Sequence, residues 1–411
     1  MKIAIVSRAD VADVRILSGF PYFMAQALGK HVGEVEYLPP DFSLGTKLID
    51  RGERILDRAS FLLARRHLAA GHNRLLAWRL AQVFGSHLSR SRFDVIFAPV
   101  ASVEIAQLDT EIPIIYATDQ NWADAVDYYA GTSALWGFAH READAIDTAA
   151  LHKAAAILYP SKWPAKSAEQ HYGILAEKIN VIPWGANFTP DNLPAAEVAV
   201  RHPLGDEIVL LWVGVDWERK GGAIAHACLM SLLEKGITAR LVICGCAPPA
   251  QFLHPQVSII PFLNKRDPEQ RARLSQLFLN AHFFVFPTQA EAYGLVLCEA
   301  SAHGLPSLVR ETGGTVGAIK NGENGYLIAL DAAGEDYAEK ILSILETPGQ
   351  YEALVQSSRR YFEMHLNWDA WGRAVKPVFE LVLEQRNVRR QSAQNRLNTI
   401  AVTRAGTETP Q

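Results

Sequence analysis

Cysteine is scarce in this chain, basic charge is not in excess, and no apolar run is long enough to span a bilayer. Its four cysteines among 411 residues, Cys228, Cys244, Cys246 and Cys298, include no Cys-x-x-Cys pair and have no histidine nearby at zinc-ligand spacing. That pattern favours buried reduced thiols over disulfides or a structural metal. A formal net charge of -4 argues against nonspecific affinity for nucleic acid. No stretch of 18 uncharged apolar residues occurs, so no transmembrane helix and a soluble protein are expected. Met1 to Ser7 reads as a strand with neither an apolar leader nor a cleavage site behind it, which predicts a cytoplasmic setting. Also missing is a Gly-x-Gly-x-x-Gly turn. The first strand-to-helix passage, Ser7 to Phe20, holds only Gly19, which disfavours a dinucleotide cofactor there.

What is present is a globular composition, 49% hydrophobic and 20% charged, in a chain too long for one core and comfortable for two. Strand-like runs at Lys2 to Ser7, Val35 to Leu38, Asp94 to Ala98, Ile112 to Ala117 and Ala156 to Tyr159 are separated by helical stretches, including one around Pro21 to Leu28. A second series follows the polar stretch Thr189 to Pro203: Ile208 to Val213, Arg240 to Cys244, Val257 to Pro261, Phe283 to Phe286 and Ser307 to Arg310. Helical patterns at Gly221 to Glu234 and Pro268 to Asn280 lie between them. Alternation of this kind predicts an α/β fold of two parallel sheets covered by helices. The expected division is 1–190, 191–365, a helix over 366–388 returning to the first domain, and a disordered polar tail over 389–411.

Leu48 to Arg92 reads as a long helical stretch rich in arginine, with Arg51, Arg54, Arg58, Arg65, Arg66, Arg74 and Arg79 interleaved with Leu, Ala and Phe. Contact with an anionic lipid surface or acceptor fits it. The plainer reading, a solvated face of a helical excursion, is preferred.

The most informative segment runs from Pro287 to Pro306, directly after the apolar strand Phe283 to Phe286. It therefore occupies the carboxyl edge of a parallel sheet, where open α/β folds bind ligands. Gly294 permits close approach to the backbone, and a helix opening at Leu295 aims free amides and a positive dipole end at a phosphate-sized ligand. Glu299 is the anomaly, because its neighbours Leu295, Val296, Leu297, Cys298, Ala300 and Ala302 are apolar or small. A buried carboxylate must pair with a cation or accept ligand hydroxyls. Glu291, at the loop end of the same element, could face a second polyol. The competing account pairs Glu299 with an arginine of its own domain and makes Glu291 a helix cap.

A second turn, Val213 to Gly222, follows the strand Ile208 to Val213 and carries Gly214, Arg219 and Lys220. Adjacent cations there could neutralise a diphosphate as it departs. Thr312-Gly313-Gly314-Thr315 is a third strand-end turn, whose glycines could admit a ligand to the backbone.

At these residues the chain resembles family 4 of the retaining glycosyltransferases. The likeness is carried by Glu291 and Glu299 as a Glu-x7-Glu pair inside Pro-Thr-x-x-Glu-Ala-Tyr-Gly-Leu-Val, by Gly304-Leu305-Pro306, by Thr312-Gly313-Gly314 and by Asn321-Gly322-x-Asn324-Gly325. It covers residues 155–330 well, including Trp184-Gly185-Ala186-Asn187, and the first half only in outline.

The resemblance implies the GT-B fold, two Rossmann-like domains facing across a cleft. It implies that Glu299 binds a nucleotide ribose, Glu291 the donor sugar, and the Tyr293-Gly294-Leu295 backbone the sugar and diphosphate. Lys220 should hold the diphosphate, and Gly19 resembles a loop glycine near it. The usual arginine after the turn glycine is Val215 here, so its role passes to Arg219, out of register; the usual Gly-Gly-x-x-Glu has Gly317 for its Glu. Asp119 falls where relatives carry a polar catalytic-region residue, with a helix N-cap as the alternative.

The expected activity is transfer of a sugar from a nucleotide-diphosphate sugar to a saccharide, lipid-linked or small-molecule acceptor, with configuration retained and no metal or other cofactor. An epimerase-like enzyme and a noncatalytic nucleotide-sugar-binding protein are the rivals. Base, sugar and acceptor stay open, since their contacts come from loops such as Pro261 to Arg266 and from the divergent first half.

Overall fold

Short runs of β-branched and aromatic residues build two parallel six-stranded sheets. The computed structural model describes residues 1–39, 44–129 and 132–405. The first sheet comprises β1 (Lys2–Ile5), β2 (Glu34–Tyr37), β3 (Val95–Pro99), β4 (Ile114–Ala117), β5 (Ala156–Tyr159) and β6 (Ile179–Val181), in the order β2-β1-β3-β4-β5-β6. The second comprises β7 (Ile208–Val213), β8 (Ala239–Cys244), β9 (Val257–Ile260), β10 (Phe283–Phe286), β11 (Ser307–Arg310) and β12 (Gly325–Ile328), in the order β12-β11-β10-β7-β8-β9. Central strands such as β3, β4 and β10 are buried along their whole length, as expected where helices cover both faces of a parallel sheet.

Strand order reverses beside β1 in the first sheet and beside β7 in the second. The loops after β7 and β10 therefore diverge from a crevice at the carboxyl edge, where ligands of such sheets sit. Lys220 follows β7, and Glu291 follows β10. Two strands, β6 and β12, each at the edge of its sheet, have no counterpart among the runs expected from sequence.

One apolar cluster runs through both halves. Phe20, at the start of α1 (Phe20–His31), stacks on Trp184 with ring centroids 4.4 Å apart, and Trp184 meets Tyr293 at 5.7 Å. The chain crosses between the halves twice. After Val181 it passes to the second sheet; after His365 it returns as the helix Trp368–Ala405, which packs along α1. Asp369 accepts from Lys30 Nζ at 2.7 Å, and Trp371 is buried against Phe97. The two crossings touch: the Ala186 amide donates to the Leu366 carbonyl at 2.8 Å. Any side chain on Gly185 would run into the Asn367–Trp368 peptide, which accounts for a glycine there.

Two sequence expectations are corrected. The helical stretch Leu48 to Arg92 is two helices, α2 (Leu44–Ala64) and α3 (Arg74–Leu88), broken where Arg65, Ala69 and Gly71 take positive φ and Asn73 caps α3 through the Leu76 amide. The tail from Arg389 is helical through Ala405, while residues 406–411 lie outside those described. No glycine or proline separates Val378 from Ala405, so nothing in the backbone stops a helix already begun.

Candidate functional site

The carboxyl ends of both sheets converge on one cavity of about 360 Å³. Its walls come from the loop after β1 (Leu17, Ser18), the loop after β4 (Asp119), and Trp184 and Asn187 after β6. From the second half come Lys220, Lys265, Glu291, Tyr293, Gly294, Leu295, Val296 and Glu299. Seven of the twelve residues singled out from sequence therefore share one cleft: Asp119, Lys220, Glu291, Tyr293, Gly294, Leu295 and Glu299.

Gly294 adopts φ +92° and begins the helix Leu295–Ala302, so the first amides of that helix face the cavity. One turn further in, Glu299 is buried among the apolar residues that made it anomalous. Its partner is not an arginine. Lys265, from the loop after β9, reaches the Glu299 carboxylate; the glutamate side chain is 7% exposed and the lysine 54%. Sequence reasoning pointed to that loop for base contacts and missed this lysine, a lone cation in a loop beyond a strand end.

Glu291 lies before the helix and does not cap it. Its carboxylate is held by Lys220, and both side chains are largely buried. Burial pulls Lys220 below the ordinary lysine range, with the Glu291 charge opposing that shift. The Lys220 ammonium also sits 4.8 Å from the Phe286 ring centroid. Gly214 lies against the Lys220 stem and the Trp212 ring, so it makes room for the lysine and does not itself line the cavity.

Arg219 is turned elsewhere. Its guanidinium donates to the Ala290 carbonyl at 3.0 Å and faces Asp216, while its own carbonyl accepts from the Gln289 amide at 2.7 Å. It is absent from the cavity wall, so the structure gives it the task of holding the loop that carries Glu291. The side chain expected to stand in for the usual arginine is thus engaged with the loop that carries Glu291, and Val215 points to solvent.

Gly313 and Gly314 lie against the same loop. A side chain on Gly313 would meet the Glu291 carbonyl and the Tyr128 hydroxyl, and one on Gly314 would meet the Ala292 carbonyl. Backbone carbonyls and the Tyr128 ring fill the space into which their side chains would point. Gly317 packs against Pro160 and Ser161 in the same way, leaving no room for the glutamate that the pattern would put there. Gly19 starts α1 at φ +88°, with the Val14 carbonyl close behind, and its neighbours Leu17, Ser18 and Phe20 provide the wall.

Tyr128 was not foreseen. Its hydroxyl lies 2.9 Å from Thr312 Oγ1 and accepts from the Glu291 amide at 3.0 Å, tying the first half to the loop that presents Glu291. Asp119, nearby, is not a helix cap. Asn121 caps Trp122–Ala125, with Asp124 completing the box. Burial pushes the Asp119 carboxyl up to about 7, and the Glu291 charge adds to the rise.

A folded-state value above the unfolded one means the folded form holds the extra proton, so stability falls as pH rises from about 4 to about 7. Asp119→Asn should therefore melt higher than the parent above pH 7, with the gap closing toward pH 4. Parallel melting curves across that range would show that Asp119 titrates normally.

A larger cavity, about 730 Å³, lies at the opposite, amino edge of the first sheet against the C-terminal helix. Three of its cations are spent on backbone: Lys153 binds the Ala106 and Leu108 carbonyls, Lys178 those of His152 and Ala154, and Arg386 those of Phe93 and Asp94. The smaller cleft has the chemistry. Among the described residues, no group of three or more His, Cys, Asp and Glu is placed to hold a metal ion, and no helix is long and apolar enough to cross a membrane.

Residues 200–361 match the family model of glycosyl transferases group 1, a span that includes Lys220, Lys265, Glu291 and Glu299. Over 216 residues, 49% of this chain and 46% of the relative, the sequence is 27% identical to D-inositol 3-phosphate glycosyltransferase of Rhodococcus jostii. The chain spans about half the length of the curated relatives it matches. The fold is similar to sucrose-phosphate synthase of Thermosynechococcus elongatus, with a TM-score of 0.61 at 16% identity over 93% of this chain and 99% of that one. It is similar also to Anabaena Alr3699/HepE in complex with UDP and glucose, with a TM-score of 0.54 at 15% identity over 92% of this chain and 99% of that one. The architecture is thus the expected one of two Rossmann-like domains facing across a cleft, the GT-B fold.

Proposed function

We propose that this chain is a retaining glycosyltransferase of the family 4 type, moving a hexosyl group from a nucleoside-diphosphate sugar to an acceptor hydroxyl on a glycan, a lipid-linked saccharide or a small molecule. One observation carries the reading. Two carboxylates, the largely buried Glu291 and the buried Glu299, face a single cavity at a helix amino terminus, and each is held by a lysine, Lys220 and Lys265. Carboxylates accept from sugar hydroxyls, and cations with helix amides neutralise phosphates; a nucleotide sugar needs both within one molecule's length.

In this reading Glu299 accepts from the ribose and Glu291 from the transferred sugar, while Lys220 and the Leu295 and Val296 amides face the diphosphate. The bond from the anomeric carbon to the phosphate oxygen breaks as the acceptor oxygen attaches on the same face. The acceptor proton passes to the departing phosphate. Charge builds on that phosphate, and preorganised donors there lower the barrier. Closure of the halves would exclude water that otherwise hydrolyses the donor. No metal or other cofactor is assigned, and the setting is cytoplasmic, which the free thiols of Cys228, Cys244, Cys246 and Cys298 support.

The test is a panel of UDP-, GDP- and ADP-sugars with saccharide, lipid-linked and small-molecule acceptors, read by product mass and by the anomeric proton coupling of the product. One donor should give transfer with its configuration kept. Inverted product would overturn the retaining assignment. Binding without turnover on any acceptor would leave a noncatalytic nucleotide-sugar binder, and rearranged free donor an epimerase-like enzyme.

A further inference from the structure

Helix α2 turns its apolar side away from the protein. Leu48, Ile55 and Leu62 recur every seven residues, and Leu56 and Leu63 lie beside that stripe. All five are exposed, Leu62 at 73% and Leu63 at 89%. Single exposed leucines are ordinary, whereas a contiguous stripe of them marks a contact surface. Leu75 and Phe138 border the same side across a groove of about 350 Å³, and Trp78, one turn beyond Leu75, is exposed too.

Charge on α2 is sorted. Arg51, Arg54 and Arg58 are exposed along one flank of the leucine stripe. Two of the helix's acids are turned inward: Glu53 accepts from the Gly71 amide at 2.8 Å and Asp57 from the Leu68 amide at 2.7 Å. An apolar stripe edged by arginines, with acids withdrawn, fits a surface that is greasy inside and anionic at its rim. A solvated basic face would not need the leucines. We infer that α2 docks this protein on an anionic phospholipid bilayer, its leucines entering the acyl boundary and its arginines meeting headgroup phosphates.

The inference is independent of the transferase reading. The loop between α2 and α3 is joined to the loop after β1, since Arg8 Nη1 donates to the Gly71 carbonyl at 3.1 Å, so the docking helix is tied to a segment adjoining the cleft.

Flotation of the full chain with vesicles of equimolar phosphatidylglycerol and phosphatidylcholine, against vesicles of phosphatidylcholine alone, tests it. The parent should float with the anionic vesicles and lose most of that binding in high salt. Leu62→Ser/Leu63→Ser should bind them about tenfold more weakly or worse, the loss of two buried apolar side chains, with an unchanged melting temperature. Arg54→Gln/Arg58→Gln should erase the preference for anionic vesicles. Equal binding by parent and leucine variant, or binding by neither, would overturn the proposal. So would a lipid-free dimer of the parent that the leucine variant dissolves, because the stripe would then be a contact between copies.

Discussion

Glu299→Ala should abolish donor binding. A matched nucleotide sugar at 100 times its dissociation constant stabilises its protein by about 2.7 kcal/mol, a readily measured rise in melting temperature. Parent protein should show that rise with one donor of the panel, and the alanine variant should show none. The folded state should survive the change, since the lysine left behind, Lys265, is more than half exposed and returns to water. An undiminished shift in the variant would remove Glu299 from the donor site and leave its pairing with Lys265 as a matter of stability alone.

Lys220→Met should lower turnover about 100-fold to 1,000-fold, the usual cost of losing one preorganised charge partner where negative charge develops. Methionine keeps most of the stem that passes Gly214 and gives up the ammonium over the Phe286 ring. It also strands the buried Glu291 carboxylate, so some loss of stability accompanies the loss of rate. The Lys220→Met/Glu291→Gln protein, set beside Glu291→Gln alone, separates the two effects: its stability should recover, and its turnover should lie well below that of the single variant. Equal turnover in the two would mean that the lysine serves the fold and not the departing phosphate.

Much of this architecture was legible before the structure. Strand runs such as Phe283 to Phe286 and Ile208 to Val213 are apolar along their length because both faces are covered, and they alternate with helical patterns that require crossovers. Glu299 was legible because a carboxylate among leucines and alanines is costly wherever the helix lies. Lys265 and Tyr128 were not, because their meaning comes from contacts 34 and 163 residues away in the chain, and an exposed-loop lysine or a turn tyrosine carries no local oddity. The surroundings of Arg219, Gly313 and Gly314 were hidden for a related reason. A glycine turn at a strand end reads the same whether ligand or another loop fills the space beside it, and here the Glu291 and Ala292 carbonyls and Tyr128 fill it.

The contact between the two chain crossings, where Ala186 meets Leu366 and Gly185 lies against the Asn367–Trp368 peptide, would constrain any swing of the halves. Two backbone segments bound side by side act as a short axle, which favours swinging about one line over twisting or sliding freely. A bulkier residue at Gly185 would pry the segments apart and loosen the bearing, altering the swing without touching any residue of the cleft.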